Sequence, residues 1–296
     1  MNRSFCALIS ETSFVGITIS VVLWCLGATA SGFTTAASAF QAAGDFNGVT
    51  TFSFDSATDG SPVSSSGTET YDFGTAPNDD ENSVVFSGSS SAQALPQTLR
   101  AQASGTVVNI DFDSDYDADN QIGIPDNFVS FAQAEFTETL QYGGTATNYN
   151  SRYILQFTGT LTGDAFAFIS LRHGSNPEQT WFFDQPGTYN VPLNSTTFVH
   201  GNSPQEFRLF LSTGFDIFSD SFPPSSTISG SANFGNTLQV TGIDLRDNVG
   251  NLLTADSVTG SSGSTFNIVP VPEPGTPLLL LTVGAAFLAK RRRKSC

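Results

Sequence analysis

The segment Ala132-Gln-Ala-Glu-Phe-Thr-Glu-Thr-Leu-Gln-Tyr142 indicates the fold class. Its apolar residues stand at alternate positions, with polar residues between them. A period of two is typical of a β-strand that has one face on a core and the other in solvent. Glu138 breaks the pattern, because it places a carboxylate on the face that is otherwise apolar. The segment therefore predicts a long strand with one irregular position.

Strand patterns recur along the chain, and helix patterns are almost absent between the two termini. Short runs rich in Phe, Val and Thr follow one another at intervals of roughly 8–15 residues. Tyr153, Leu155 and Phe157 share one face of a second strand, and residues 165–171 are nearly continuously apolar, as in a buried central strand. The chain is therefore predicted to be all-β, with a single antiparallel β-sandwich or jelly-roll-like domain over residues 40–255.

Three local features complete the predicted architecture. The apolar alternation changes phase at Thr241–Gly242, so a β-bulge is predicted there to restore the register. The stretches 57–68 and 87–93 are rich in Ser and Gly and are predicted to be loops. Residues 256–269 are predicted to be a flexible tether.

The N-terminus has the features of a secretory signal peptide. Arg3 precedes an apolar run from Phe14 to Leu26, and small residues follow at Ala28-Thr-Ala30 and again at Ala37-Ser-Ala39. Residues 1–39 are therefore predicted to be a signal helix that directs the chain to the secretory translocon, with cleavage after Ala30 or Ala39. A retained N-terminal anchor is the alternative.

The C-terminus has three parts in a fixed order. Pro272-Glu273-Pro274 comes first, an uncharged apolar stretch follows over residues 276–289, and Lys290-Arg-Arg-Arg-Lys294 ends it. The apolar stretch would form a helix of about 21 Å, which is short for a hydrocarbon core of roughly 30 Å. The basic cluster should stay in the cytoplasm. We therefore expect a short transmembrane helix at about 276–289, with the preceding domain outside.

This tail resembles the PEP-CTERM sorting signal of Gram-negative surface proteins. The matching positions include Pro272, Glu273 and Pro274 and the basic residues Arg291, Arg292 and Arg293. The resemblance implies that residues 270–296 are a sorting and anchor segment processed by exosortase, a membrane protease or transpeptidase. It also implies a final place at the cell surface or in the extracellular matrix, with extracellular polysaccharide of a biofilm as a partner. An ordinary tail anchor without processing is the alternative.

Composition restricts the partners of the exported domain. The chain has three cysteines, and all of them lie in the two terminal segments, at Cys6, Cys25 and Cys296. No disulfide is therefore expected within residues 40–269. Of the 27 acidic residues only Glu11 and Glu273 lie outside that range, which leaves 25 against five arginines, or about 20 net negative charges. Such a surface repels nucleic acid, which is excluded as a partner.

An acidic cluster indicates a candidate metal site. Six carboxylates stand within residues 111–126, and no Lys or Arg is near them in the sequence. The spacing fits a calcium loop of the EF-hand type, and the sequence is also similar to the Asp-rich loops of thrombospondin type 3-like repeats. A solvated acidic loop is the alternative. The predicted ligands are Asp115, Asp117, Asp119, the backbone carbonyl of Gln121, and Asp126.

The chain lacks the sequence patterns of a catalytic site. His173 and His200 are the only histidines, and neither stands near another ligand at the spacing of a metal site. There is no Gly-x-Ser-x-Gly elbow and no cysteine nucleophile in the exported part. We therefore expect a non-catalytic surface or matrix protein. The alternatives are a calcium-dependent carbohydrate-binding module and a hydrolase of matrix polysaccharide.

Two groups of residues bear on those alternatives. Glu135 and Glu138 form an acid pair of the kind that a glycosidase uses, provided that they face one another. Trp181, Phe182 and Phe183 form an aromatic triplet on which a sugar ring would stack. Alternating burial predicts that Phe182 lies in the core instead.

Overall fold

The computed structural model describes residues 33–45, 48–72, 83–110, 127–218, 227–254 and 256–270. Within these ranges no helix has the length and hydrophobicity needed to cross a membrane. The described residues form β-strands, which are β1 (Phe33–Asp45), β2 (Gly48–Ala57), β3 (Val63–Asp72), β4 (Ser83–Leu95), β5 (Thr98–Ile110), β6 (Asn127–Gly143), β7 (Asn148–Gly163), β8 (Ala165–His173), β9 (Gln179–Phe183), β10 (Gly187–Asn194), β11 (Phe198–Gly201), β12 (Gln205–Phe218), β13 (Thr227–Arg246), β14 (Ser257–Gly260) and β15 (Thr265–Phe266).

The strands form two antiparallel sheets that enclose the core between them. Sheet A runs β15-β14-β6-β12-β8-β9, with β1 also paired to β6 and β2 paired to β1. Sheet B runs β10-β7-β13-β5-β4-β3, with β11 also paired to β7. The predicted all-β, sandwich-like arrangement of antiparallel sheets is confirmed. The predicted signal helix and C-terminal helix lie outside the described residues.

Strand β6 shows the alternation that its sequence predicts. Ala132, Ala134, Phe136 and Leu140 are fully buried on the inner face of sheet A. The hydroxyl and amide side chains between them point to the outer face. Strand β12 pairs with β6 along one side, while β1 and β14 share its other side, so β6 lies at the centre of the sheet. Glu138 follows the same alternation and is therefore buried.

The predicted β-bulge is confirmed in β13. Its register against β7 shifts between Val240 and Gly242. Because of that shift, Val240 before the bulge and Ile243 after it are both buried. Without the extra residue, one of these two side chains would point into solvent.

The prediction of loops at 57–68 and 87–93 was wrong for most of these residues. They belong to strands β3 and β4. The reason lies in the opposite sheet. Gly88 faces the Gln41 side chain and Gly105 faces the Phe215 ring, and a Cβ at either position would overlap these groups. Glycine at position 88 of β4, and at position 105 of the neighbouring strand β5, therefore reflects close packing between the sheets rather than loop structure.

Both boundaries predicted for the domain also differ from the structure. Strand β1 begins at Phe33, so cleavage after Ala39 would divide it, whereas cleavage after Ala30 would leave it whole. The predicted tether contains β14 and β15, and Val258 and Phe266 within it are buried against the core. Polar and glycine-rich composition suggested a linker, but two apolar side chains are enough to pack this short hairpin onto β6.

Candidate functional site

The two groups of site residues predicted from the sequence lie outside the described residues. The five calcium ligands, from Asp115 to Asp126, fall between the end of β5 and the start of β6, and the sorting residues 272–274 and 291–293 follow the last described residue. Among the residues that the structure does describe, no cluster of three or more His, Cys, Asp or Glu side chains is arranged to hold a metal ion. The candidate functional site within the described residues is the end of the sandwich that directly precedes the sorting segment.

The chain is bound to the folded body up to the residue before the sorting segment. The amide of Ile243 donates to the carbonyl of Asn267 at 2.8 Å, and the amide of Val269 donates to the carbonyl of Ile243 at 3.0 Å. Ile268 forms a parallel bridge with Ile243. Gly242 leaves the space that the Val269 side chain occupies. Folded structure thus continues to Val269, and the tail has no flexible spacer in front of it.

Glu138 fixes the hairpin formed by β14 and β15 to the body. Its carboxylate accepts hydrogen bonds from the Ser262 hydroxyl at 2.8 Å and from the Ser264 hydroxyl at 3.2 Å. Both serines belong to the connection between the two strands. A Cβ on Gly260 would overlap the carboxylate, so the absence of a side chain there admits it. This explains why a carboxylate occupies the inner face of β6.

Burial determines the ionisation of this carboxylate. Desolvation raises the pKa of Glu138 above its ordinary value of 4.5, and the hydrogen bonds from Ser262 and Ser264 lower it by a smaller amount. The protonated form is therefore favoured in the folded state more than in the unfolded chain. Serine hydroxyls are neutral donors, and they compensate an ionised carboxylate less well than an arginine would.

A second polar cluster lies in the core at the same end of β6. Tyr142 places its hydroxyl 2.8 Å from Nε2 of His173 and 3.3 Å from the hydroxyl of Tyr153. His200 has its Nε2 atom 2.7 Å from the Ser151 hydroxyl. The rings of His173 and His200 lie 4.5 Å apart between centroids. Strands β6, β7, β8 and β11 each contribute to the cluster, which closes the core between the two sheets.

Both histidines are held in the neutral state. Desolvation and, to a smaller extent, the charge of His200 lower the pKa of His173 to about 3. Burial also lowers the pKa of His200, against the effect of its bond to the Gly201 carbonyl. His173 is fully buried, and His200 is 8% exposed. Both imidazoles therefore belong to the buried interior between the two sheets.

The sequence analysis missed the meeting of these histidines. His173 is the last residue of β8. The signal was available, because His173 continues the inward series Ala167, Ile169 and Leu171 at the same period of two. No comparable signal places His200 beside it, since the pairing of β11 with β7 joins residues distant in sequence.

The structure separates the acid pair Glu135 and Glu138. Glu138 faces the core, whereas Glu135 faces outward and binds Arg208 at 2.8 Å. Two carboxylates on opposite faces of a sheet do not share a substrate, so this pair does not support the glycosidase alternative.

The prediction that Phe182 lies in the core was wrong. Phe182 pairs with Phe168 of β8, which places it on the outer face with half of its surface exposed. Trp181 pairs with the buried Ile169, and Trp181 and Phe183 pack against the core instead. The three rings therefore do not form one platform.

The Glu138 interaction has a specific pH dependence. A carboxyl whose pKa is raised on folding stabilises the protein below its unfolded pKa, and that contribution is lost as the pH rises through the folded pKa. We expect Glu138→Gln to become more favourable relative to the native protein between pH 4.5 and 7.5, by at most about 1.4 kcal/mol per pH unit. Urea unfolding at several pH values measures this. Gln141→Ala, on the exposed face of the same strand, should leave the profile unchanged, and parallel profiles for Glu138→Gln and the native protein would contradict the assignment.

The histidine pair has the opposite pH dependence. A histidine whose pKa is lowered on folding contributes stability above its unfolded pKa of 6.5, and that contribution is lost as the pH falls toward the folded value. In the native protein buried His173 should cost about 1.4 kcal/mol per pH unit below that point. His173→Gln should reduce this slope between pH 6.5 and 4.5 in the same unfolding measurement. The exposed substitution Val199→Ala should retain the native slope; a His173→Gln slope equal to it would show that His173 does not titrate as described.

The comparisons with known proteins bear on the tail. The PEP-CTERM protein-sorting motif family matches residues 270–294. No curated protein sequence matches the chain, and no solved structure does. The matched segment begins at the residue after Val269, where the hydrogen bonds to β13 end. The chain therefore carries a PEP-CTERM protein-sorting motif, consistent with an exosortase substrate.

Proposed function

We propose that the protein is a non-catalytic component of the cell surface or extracellular matrix, which is exported, held by its C-terminal segment and sorted by exosortase. The match of the sorting motif to residues 270–294 carries this proposal. Exosortase is a membrane enzyme, so the motif implies export of the β-sandwich and anchoring of the tail before sorting. The sandwich would act within the extracellular polysaccharide of a biofilm.

The position of the motif supports a short distance between the folded sandwich and the membrane. Val269 is hydrogen-bonded to β13, and Pro272 is three residues further along the chain. Three extended residues span about 10 Å. The enzyme would therefore act close to the base of a folded body. In this proposal the hairpin and its contact with Glu138 fix the distance between the sandwich and the site of processing.

The interior of the described body supports a non-catalytic role. The large side chains Phe136, Tyr153, Phe157 and Phe207 fill the space between the sheets. The histidines contact one another and neighbouring tyrosines, and the candidate acid pair is divided between two faces. These arrangements support a structural role for the histidines and no shared substrate for the acid pair.

The sorting proposal is tested by replacing Pro272-Glu273-Pro274 with three alanines. The variant should remain in the membrane fraction with its C-terminus intact, since the enzyme no longer recognises the motif. Cell fractionation and mass spectrometry of the C-terminus measure this. The matched control inserts eight Gly and Ser residues between Val269 and Pro270, which leaves the motif unchanged and should preserve processing. Normal maturation of the alanine variant would refute sorting through this motif.

We further propose that the acidic segment 111–126 binds a structural calcium ion through Asp115, Asp117, Asp119, Gln121 and Asp126. The charge density of the segment and the lack of disulfides in the exported part support this role. A bound ion would staple the connection between β5 and β6.

For the calcium proposal we expect millimolar calcium to raise the melting temperature of the full chain by several degrees after treatment with a chelator. Asp117→Ala should abolish the rise because it removes a ligand. Asp184→Ala, which removes an exposed carboxylate from another part of the surface, should keep it. A chain whose melting temperature does not respond to calcium would show that the segment is a solvated acidic loop.

A further inference from the structure

A row of phenylalanines crosses the outer face of sheet A, on the side away from the core. Its members come from five strands and lie close to one line across the sheet. We call this the Phe row, and it consists of Phe54 in β2, Phe40 in β1, Phe131 in β6, Phe166 in β8 and Phe182 in β9. Phe40 is in direct register with Phe54 on one side and with Phe131 on the other.

Four of the five rings of the Phe row form a chain of contacts. Phe40 and Phe131 stack with their centroids 5.4 Å apart, Phe131 meets Phe166 edge to face at 5.4 Å, and Phe166 lies 5.8 Å from Phe182. Strand β12 crosses between Phe131 and Phe166 with Gly214 at the corresponding position. A Cβ on Gly214 would approach these two rings to 2.7 and 2.6 Å. The glycine thus allows the rings to meet over β12.

The two ends of the Phe row are the most exposed. Phe54 is 48% exposed and Phe182 is 50% exposed, whereas Phe131 at the centre is only 5% exposed. Phe168 and Phe210 form an additional pair on the same face, with centroids 6.2 Å apart. The core does not require these rings, because the inner face of sheet A has its own apolar side chains. The row therefore exposes apolar surface chiefly at its two ends, on either side of a closely packed centre.

Four charged side chains on this face form two ion pairs. Arg208 binds Glu135 at 2.8 Å, and Arg172 binds Glu206. Asp216 of β12 lies on the same outer face, two positions after Gly214. The exported domain has about 20 net negative charges. A second copy of the chain is repelled by most of that surface, and close approach is least unfavourable where charges are paired or absent.

We propose that the Phe row is the centre of an interface between two copies of this chain, packed face to face through their A sheets. The row is self-complementary, because each end has one half-exposed phenylalanine. A twofold axis in the plane of the interface superimposes the row of one copy on that of the other. Packed sheets with aligned strands interdigitate their side chains in this way at a separation of about 10 Å.

The area of the apolar surface supports a weak dimer. A half-exposed phenylalanine leaves about 100 Å² accessible, so the Phe row with Phe168 and Phe210 presents roughly 300–400 Å². Patches of that size on a monomer are often functional. A standard interface buries about 800 Å² per partner, so surrounding polar residues would supply the remainder. Dissociation in the micromolar range is expected, and confinement of both copies to one surface would favour association.

The position of the Phe row leaves the C-terminal segment accessible. Phe131 lies near the start of β6, whereas β14 pairs with the other end of that strand at Leu140 to Gly143. Nine residues of extended strand separate Phe131 from Leu140, which is about 30 Å. Dimerisation through the row therefore leaves the exit of the tail free, and the proposal does not depend on the sorting function.

Cysteine cross-linking in the full chain tests the interface. Cys6, Cys25 and Cys296 are first replaced by serine, and cysteine is introduced as Phe54→Cys, as Phe182→Cys and as both together. Five strand spacings of about 4.8 Å separate the two ends of the row, so one chain does not form this disulfide within itself. Oxidation should produce covalent dimers. A twofold axis along the row brings like ends together and cross-links the single variants, whereas an axis across the row brings Phe54 of one copy to Phe182 of the other and cross-links the double variant. Val199→Cys on β11, at a residue 65% exposed, should stay monomeric.

Sedimentation of the full chain in mild detergent supplies a second readout. Phe54→Ser with Phe182→Ser should weaken association at least tenfold without lowering the melting temperature, and Val199→Ser should leave it unchanged. Added salt should strengthen association of the native chain, because it screens repulsion between two acidic bodies. Absence of cross-links, cross-linking of Val199→Cys to the same extent, or a monomer at all concentrations would overturn the proposal. Loss of binding to matrix polysaccharide in a chain that stays monomeric would assign the row to that other partner.

Discussion

The fold depends on the position of β6 at the centre of sheet A. Strand β12 forms the ladder on one side of β6, while β1 and the C-terminal strand β14 divide the other side between them. Its inner face buries Ala132, Ala134 and Phe136 against sheet B. No disulfide is possible between the described strands, because none of them contains cysteine. Apolar burial around this strand and the ladders it supports must therefore stabilise the body.

Ionisable side chains with shifted pKa values are buried toward the C-terminal end of that strand, and they have distinct partners. Glu138 is bound by two serines of the C-terminal hairpin, and the Tyr142 hydroxyl contacts His173. Ionisation of Glu138 above its folded pKa and protonation of His173 at low pH both disfavour the folded state. The end of the body next to the sorting segment thus contains groups that respond to pH. Because the two effects have opposite signs, they partly offset one another in the pH range where both groups titrate.

The faces of the sandwich serve different purposes. The inner faces carry the core, the β14–β15 hairpin brings the chain to its exit at Val269, and the outer face of sheet A carries the Phe row about 30 Å away along β6. The proposed anchoring at one end and the proposed association at the other are therefore compatible. A protein held at a surface by its tail would present the row away from that attachment.

Local patterns were sufficient to predict the sheet class, the bulge in β13 and the sorting motif, because each depends on neighbouring residues. Period-two alternation predicts a strand, and its change of phase at Thr241–Gly242 predicts an extra residue. The Ser- and Gly-rich parts of β3 and β4 were predicted to be loops, because the contact that explains Gly88 of β4 comes from Gln41 of the opposite sheet. Contacts between distant strands also determined that His173 meets His200, that serines of the hairpin bind Glu138, and that Phe182 faces outward in the Phe row. Those contacts arise from strand pairing and sheet packing, which bring together residues whose spacing along the chain carries no regular signal.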